Sequence, residues 1–187
     1  MVRPRKWKTL DSQWALDRRW CRVRQDKVEL PNGHIIDEYF VNVKPEIAVV
    51  LPLTPAQEVI LVRQYRHGVG ENVWELPAGI LQSLAESSQA AAERELAEET
   101  GYRARTLTKL AALYNNPSKD TNCIHVFLAE GAIPVESPQP DITEEIEVGV
   151  VPLQAVRERI RAGELCAAVT LAALFVGLDW LGQRDAA

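Results

Sequence analysis

The stretch "AAERELAEETGY", residues 91–102, places three glutamates on one side of a predicted helix. Glu95, Glu98 and Glu99 follow the spacing i, i+3 and i+4, so they lie within about 60° of Glu95 around a helix of 3.6 residues per turn. Like charges at this spacing repel by roughly 0.2–0.5 kcal/mol per pair on an exposed helix. Arg94 is the only basic residue between residues 86 and 102. The repulsion must therefore be offset by water or by a bound cation.

Helix-start and helix-stop signals flank this cluster. Ser83 and Glu86 fit the S-x-x-E capping box, and Gly101 supplies the usual C-terminal stop. Alanine and leucine, which favour helices, fill the interval. These signals predict a helix over residues 83–100.

Short apolar or alternating segments on both sides of this helix predict strands. Pro31, Asn32 and Gly33 mark a hairpin turn within residues 26–44. Residues 132–143, which contain three prolines, are expected to form a loop. The other predicted strands cover residues 47–53, 58–66, 73–79, 105–115, 122–131 and 145–153, and helices are predicted over 153–162 and 164–181. The chain is therefore predicted to be of the α/β (α+β) class, with an N-terminal β-hairpin sub-region at 1–44 and the main domain at 45–187.

The charge of the 187-residue chain is unevenly distributed. Residues 1–27 hold nine Lys/Arg and three Asp/Glu, a local charge of +6. The net charge of the whole chain is −5, so the remaining residues together carry −11. A negative molecule of this kind is not expected to bind nucleic acid. The basic N-terminus fits a solvated surface or contacts with phosphates, and its position alone does not decide between them.

The cysteine count indicates the compartment. Cys21, Cys123 and Cys166 are widely spaced and contain no CxxC pair, so neither a disulfide framework nor a zinc site is predicted, and a cytoplasmic location is expected. The basic start lacks the apolar run of a secretory signal. The most apolar stretch, residues 165–178, is too short to span a bilayer, so no membrane association is predicted.

Three converging carboxylates without lysine partners suit a hard divalent cation, which takes oxygen ligands. Mg²⁺ commonly completes its coordination with substrate phosphates, which would point to phosphoryl chemistry. An acidic helix face is also often simply solvated. The spacing alone does not choose between these two interpretations.

The residues around the cluster resemble a known family. Residues 79–102 resemble the Nudix box, G-x5-E-x7-R-E-U-x-E-E-x-G-U, and match it completely from Glu86 to Tyr102. One departure is that six residues, not five, separate Gly79 from Glu86, with Ala85 in the place usual for glutamate. Residues 62–79 are similar to the ADP-ribose pyrophosphatase-like branch of that superfamily. The resemblance implies an α/β/α sandwich with a mixed sheet and the box as loop–helix–loop.

This resemblance also implies a chemistry. The expected enzyme is a Mg²⁺- or Mn²⁺-dependent pyrophosphohydrolase, with two or three ions per site, that cleaves a nucleoside diphosphate linked to another group. ADP-ribose or a nucleotide sugar would be split into a nucleoside monophosphate and a phosphorylated remainder. The implied metal ligands are Glu95, Glu98, Glu99 and the carbonyl of Ala78.

Further site residues follow from the same resemblance. Arg94 would orient the glutamates or form a structural ion pair, and Glu98 could also act through a bound water. Glu144, in a loop after the box, would be the base or an extra metal ligand, or else part of the wet face of a strand. Arg66 would contact phosphate, or be an exposed strand-end charge. Trp20 and Tyr39 would stack on the nucleobase, or belong to the core.

Related enzymes imply a homodimer in which residues 1–44 take part in dimerisation and base binding. Two other functions remain open. One is a catalytically quiet Nudix-fold module that senses a nucleotide. The other is a Nudix enzyme acting on dinucleotides, oxidised nucleotides or capped RNA.

Overall fold

The computed structural model describes residues 3–185, which fall into two compact units. The first unit spans Met1–Pro45 and Tyr114–Cys123. The second spans Glu46–Leu113 and Ile124–Ala187. No helix within residues 3–185 is long and apolar enough to cross a membrane.

The first unit contains a three-stranded antiparallel sheet in the order β1–β2–β3. The strands are β1 (Lys8–Arg18), β2 (Cys21–Glu29) and β3 (Ile35–Asn42). The predicted hairpin joins β2 to β3, and Gly33 adopts φ 84° in its turn, a conformation that glycine takes without strain. The sequence did not predict β1, whose residues are all exposed and therefore give no buried apolar pattern.

The segment Tyr114–Cys123 is bound to β3 within this unit. The backbone N–H of Asn42 donates to the carbonyl of Lys119 (2.7 Å), and the Tyr39 hydroxyl donates to the carbonyl of Ser118 (2.5 Å). Asp120 accepts hydrogen bonds from the Asn42 amide and the Lys44 ammonium, both at 2.8 Å. Backbone and side-chain bonds thus fix this loop.

The second unit is built on a mixed sheet in the order β12–β5–β4–β10–β9, with β6 paired to β5 and β7 paired to β4. Its β4 and β10 run parallel, whereas β5, β6, β7 and β12 join their neighbours antiparallel. A separate two-stranded ladder joins β8 to β11. The strands are β4 (Ile47–Leu53), β5 (Glu58–Arg66), β6 (Glu71–Glu75), β7 (Ala78–Ile80), β8 (Tyr102–Arg103), β9 (Thr106–Tyr114), β10 (Cys123–Glu130), β11 (Ile133–Pro134) and β12 (Glu147–Pro152).

Helices cover both faces of this sheet. They are α1 (Ser88–Thr100), α2 (Val156–Arg161) after a 3₁₀ turn at Leu153–Ala155, and α3 (Ala168–Asp185). Alternate residues of a strand face opposite sides, and β4 shows this directly. Val50 packs in the cluster that contains Leu96 of α1, whereas Leu51 packs in the cluster that contains Leu174 of α3. The predicted α/β/α sandwich with a mixed sheet is confirmed.

Several predicted element boundaries were wrong. The helix predicted from residue 83 begins at Ser88, and the helix predicted from residue 164 begins at Ala168. The strand predicted over 73–79 is interrupted between β6 and β7 around Pro77, whose missing N–H cannot continue a ladder. The loop predicted over 132–143 contains the short strand β11, which tolerates Pro134 because it lies in a two-residue ladder.

Candidate active site

The backbone N–H and C=O groups of successive residues in β7 point alternately toward β4 and away from it. Val49 of β4 lies opposite Ala78. The next pair, Val50 and Pro77, is hydrogen-bonded, because the Val50 N–H donates to the Pro77 carbonyl (2.9 Å). Hydrogen-bonded and non-hydrogen-bonded pairs alternate in an antiparallel ladder. The N–H and C=O groups of Ala78 and Ile80 therefore point away from β4.

Helix α1 lies along that outward edge. The Ala78 N–H donates to Oε2 of Glu99 (3.0 Å), and Arg94 donates through Nη2 to the Ile80 carbonyl (3.0 Å). Between them, Gly79 leaves room for Glu95, because a Cβ on Gly79 would overlap the Glu95 carboxyl group. The carbonyl predicted as a metal ligand thus faces the side of the strand on which the glutamates lie.

Arg94 is the basic centre of the glutamate cluster. Its Nη1 donates to Oε1 of Glu95 (2.6 Å) and to Oε2 of Glu98 (2.9 Å), while its Nε donates to Oε1 of Glu86 (3.0 Å). One guanidinium therefore offsets the repulsion among three carboxylates. These three ion pairs fit both interpretations of Arg94, a residue that orients the glutamates and a structural ion pair.

Glu86 does not have the helix-capping position predicted for it. The helix is capped by Ser87, whose Oγ accepts the Ala90 N–H (3.1 Å), so Glu86 precedes the helix and is not the third residue of a capping box. Instead, the Glu86 carboxylate accepts hydrogen bonds from the Gln82 N–H (2.5 Å) and from Arg94. The backbone N–H of Glu86 donates to the Ser83 carbonyl (3.2 Å). The extra residue before Glu86 is accommodated in this turn, and the contact with Arg94 is kept.

Burial changes the protonation of the cluster when no metal is bound. Glu99 is only 2% exposed, and burial, followed by the charge of Glu95, raises its pKa to about 8. The Ala78 N–H and the charge of Arg66 oppose this rise. Burial also raises the pKa of Glu95, although Arg94 opposes the change. Without a bound metal ion, burial therefore keeps the Glu99 carboxyl group mostly protonated at neutral pH.

In Arg94 and Glu86, by contrast, the surroundings stabilise the charged form. Burial disfavours the charged guanidinium of Arg94, but its bonds to Glu86, Glu95 and Glu98 outweigh burial and raise its pKa. The bond from Arg94, followed by that from the Gln82 N–H, lowers the pKa of Glu86. Both groups are therefore charged at neutral pH and form a permanent ion pair.

Glu144 lies in a turn within electrostatic reach of the cluster. Its N–H donates to the Asp141 carbonyl (2.8 Å), and its Oε2 accepts the Asp141 N–H (3.2 Å). Its charge contributes to the raised pKa values of Glu95 and Glu99. The structure thus places this predicted residue near the glutamates but not in direct contact with Arg94.

The loop that carries Glu144 is attached to the end of α1. The Gln139 N–H donates to the backbone carbonyl of Glu98 (2.8 Å), one of the last-turn carbonyls that a helix leaves unpaired. Gly101 ends the helix with φ 74°, and a Cβ there would overlap the carbonyl oxygen of Glu136. The start of the loop and the helix terminus are therefore packed together.

Arg66 reaches back along the sheet toward the cluster. Its Nε donates to Oε2 of Glu75 (2.6 Å), and its charge opposes the burial that raises the pKa of Glu99. Glu75 is not among the site residues predicted from the sequence. No short spacing could have identified it, because the two residues lie on different strands of the β5–β6 pair.

Trp20 and Tyr39 are not neighbours in the first unit. Trp20 lies in the β1–β2 turn, 79% exposed, with the Arg19 guanidinium 4.6 Å from its ring centroid. Tyr39 pairs with Asp26 of β2, which lies six residues beyond Trp20, or about 20 Å at about 3.3 Å per residue. The Tyr39 ring contacts Trp7 and the Lys119 ammonium. These two aromatic side chains therefore do not form a single stacking site within the first unit.

The donor atoms fit a hard divalent cation in chemistry, because carboxylates and one backbone carbonyl face the same space. Among residues 3–185, however, no three acidic, histidine or cysteine side chains are already arranged around one point. Arg94 is bound to Glu95 and Glu98 in this arrangement. Metal binding would therefore require these carboxylates to turn from Arg94 toward the ion.

Two known protein families match consecutive parts of the chain. Residues 44–169 match the NUDIX domain, and residues 7–42 match the nucleoside diphosphate sugar hydrolase N-terminal domain. The chain belongs to the Nudix family. The predicted assignment to its ADP-ribose pyrophosphatase-like pyrophosphohydrolases is confirmed.

Similar proteins support this Nudix assignment. The chain is 36% identical over 150 residues to the ADP-ribose pyrophosphatase of Bacillus subtilis (strain 168), a match that covers 80% of each chain. It is 30% identical over 182 residues to the CMP-5'-(N-acetyl-N-hydroxy-3-aminopropyl)phosphonate hydrolase of Streptomyces rubellomurinus (strain ATCC 31215), covering 96% of this chain and 86% of that one. The crystal structure of an ADP compounds hydrolase superposes with a TM-score of 0.87, at 26% identity and 98% coverage of both chains.

Proposed function

We propose that this Nudix protein hydrolyses the pyrophosphate bond of a nucleoside diphosphate linked to another group, with ADP-ribose or a nucleotide sugar as substrate. The observation that carries the proposal is the meeting of the β7 edge with α1. There the Ala78 carbonyl faces the side occupied by Glu95, Glu98 and Glu99. The names of the similar ADP-ribose pyrophosphatase and ADP compounds hydrolase support this substrate class.

Each residue has a proposed part. Glu95, Glu98, Glu99 and the Ala78 carbonyl hold two or three Mg²⁺ or Mn²⁺ ions. Bound divalent ions would neutralise phosphate oxygens and lower the pKa of the attacking water. Arg94 orients the ligands, as its three carboxylate contacts allow.

Two charged residues act on the substrate in this proposal. Arg66 donates to a phosphate, exchanging its bond with Glu75 for one with the diphosphate. Glu144, carried on a loop, takes the proton of the attacking water. A loop position allows it to approach once the substrate is bound. The products are a nucleoside monophosphate and the phosphorylated remainder.

The N-terminal unit is proposed to form a homodimer and to contribute to base binding. Its strand β1 has only exposed residues, including Trp14 at 46% exposure and Leu16 at 39%. A second copy would cover these apolar groups. The basic N-terminus also complements the acidic remainder of another chain. Trp20, with its exposed ring, is the proposed base platform, and Tyr39 is an additional candidate.

The cysteines agree with the cytoplasmic location that forms part of this proposal. Cys21 and Cys166 are exposed free thiols. A reducing compartment keeps thiols in this form.

The deciding experiment measures phosphate release in a phosphatase-coupled assay. The panel contains ADP-ribose, nucleotide sugars, dinucleotides and oxidised nucleoside triphosphates, each with Mg²⁺ or chelator. Glu99→Gln tests the cluster, and Glu93→Gln, whose side chain on the same helix bonds Gln89, is the matched control. We expect metal-dependent turnover that Glu99→Gln loses and Glu93→Gln keeps. Folded, metal-loaded wild type that turns over nothing in the panel would contradict the hydrolase and favour a nucleotide-sensing module.

A further inference from the structure

Three elements hold the short segment that leads into β7. The Leu76 N–H donates to Oγ1 of Thr170 on α3 (3.1 Å), and the Pro77 carbonyl accepts the Val50 N–H (2.9 Å). The Ala78 N–H donates to Glu99 (3.0 Å). The C-terminal helix, which carries none of the predicted site residues, is thus linked to the strand edge at the glutamate cluster.

The geometry of β7 explains why a side chain must take the Leu76 N–H. Leu76 lies two residues before Ala78, so its N–H also points away from β4 and lacks a ladder partner there. Leu76 is 1% exposed and Thr170 is 2% exposed, so water does not readily replace the hydroxyl. A buried N–H without an acceptor is costly.

We infer that Thr170 is a positioning residue of the metal site, an assignment that rests on the proposed function. Thr170 binds the N–H of Leu76, and only Pro77 lies between Leu76 and Ala78. The proline ring restricts φ of Pro77 to about −65°. The link is therefore stiff. Displacement of the Leu76 nitrogen shifts the Ala78 N–H, which holds Glu99, and the Ala78 carbonyl, which is the proposed backbone ligand.

A purely structural role predicts a different result. In that case the loss of the hydroxyl would lower stability but leave metal affinity unchanged in the folded protein. Metal affinity measured without substrate, well below the unfolding temperature, separates the two roles. Turnover is not needed for this readout.

The test compares Thr170→Val, which keeps the shape and loses the acceptor, with Thr170→Ser, which keeps the acceptor. Mn²⁺ binding to the 187-residue chain is followed by electron paramagnetic resonance without nucleotide. Thr54→Val is the matched control. Thr54 is also buried, and its Oγ1 accepts a backbone N–H from Glu58 (3.2 Å).

We expect Thr170→Val to weaken Mn²⁺ binding about 10-fold, as is typical when a residue supporting a metal ligand is lost. Thr170→Ser and Thr54→Val should remain within about two-fold of wild type, against that 10-fold effect. Thr170→Ala, which loses the same acceptor, replaces the valine variant if the latter does not fold.

Two results would overturn the assignment and can be told apart. If wild type binds Mn²⁺ and Thr170→Val binds it equally well, Thr170 has no positioning role, although the metal site stands. If folded wild type binds no Mn²⁺, the proposed metal site fails and the role of Thr170 fails with it.

Discussion

Gly79 and Glu95 fit each other so closely that a Cβ on the glycine would overlap the glutamate carboxyl group. Gly79 lies in β7 and Glu95 on α1, so the fit sets how near the strand and the helix can approach. The glycine of the box is thus required by space at this point. Its backbone does not adopt a positive φ.

Gly79→Ala should therefore displace Glu95 and weaken both metal binding and turnover by at least about 10-fold. Mn²⁺ titration and the phosphate-release assay measure the two effects. Gly182→Ala on α3 is the control, because a Cβ there meets no atom within 4 Å. Wild-type metal binding in Gly79→Ala would show that the close fit between Gly79 and Glu95 does not control metal binding.

Glu99→Gln should stabilise the metal-free protein at alkaline pH. The folded state holds the Glu99 proton up to a pKa of about 8, whereas the ordinary pKa is 4.5. Between these values the folded state binds more protons than the unfolded chain, so stability falls as pH rises. Replacing the carboxylate removes that loss. We expect the melting temperature in chelator at pH 8.5 to rise by about 2–4 °C or more.

The same comparison at pH 4 provides the control for Glu99→Gln. Both forms are then uncharged at this position, and the difference in melting temperature should shrink. A variant that is less stable than wild type at pH 8.5 would indicate that Glu99 is charged and well compensated in the metal-free protein.

Glu86→Ala should lower turnover although Glu86 lies outside the predicted ligand set. Its carboxylate fixes the Nε of Arg94, which in turn holds Glu95 and Glu98. Loss of this support should reduce kcat about 10-fold, the lower end for a residue that acts through a metal ligand. Steady-state kinetics measures the change, and Glu93→Ala on the exposed part of α1 should leave kcat unaltered. An unchanged kcat for Glu86→Ala would restrict Glu86 to a structural role.

Gly149→Ala should destabilise the sheet by about 1–3 kcal/mol through overpacking. A Cβ on Gly149 would lie 2.7 Å from Cη2 of Trp74 and 2.8 Å from its Cζ3. These indole atoms are absent from phenylalanine, so Trp74→Phe should reduce the cost of Gly149→Ala in a double-mutant cycle. Thermal unfolding measures all four proteins, and strict additivity of the two changes would contradict the contact.

Trp14→Glu should weaken the proposed homodimer. The change places a charge among the exposed apolar residues of β1. Size-exclusion chromatography with light scattering should show a dimer for wild type and a larger monomer fraction for the variant. Val69→Glu, at a position 68% exposed in the second unit, is the control. A monomeric wild type at micromolar concentration would remove the dimer from the proposal.

Sequence reasoning succeeded where the determining interactions are local. The turn at Gly33 and the helix stop at Gly101 both take the positive φ that glycine allows. Errors arose where two local signals competed, as at the N-terminus of α1. Ser83 and Ser87 both offer a capping hydroxyl, and the contact of Glu86 with Arg94 accompanies the later start. The exposed strand β1 lacked a burial pattern and so gave no signal.

The sequence by itself determined the family, the α/β class and the shared helical face of Glu95, Glu98 and Glu99, because these depend on spacing along one chain segment. The tertiary structure decided which groups meet that face. Burial raised the pKa of Glu99, the β4–β7 register aimed the Ala78 carbonyl, and α3 supplied Thr170 from far along the chain. These features depend on contacts between distant segments and on the exclusion of water, which residue spacing does not encode.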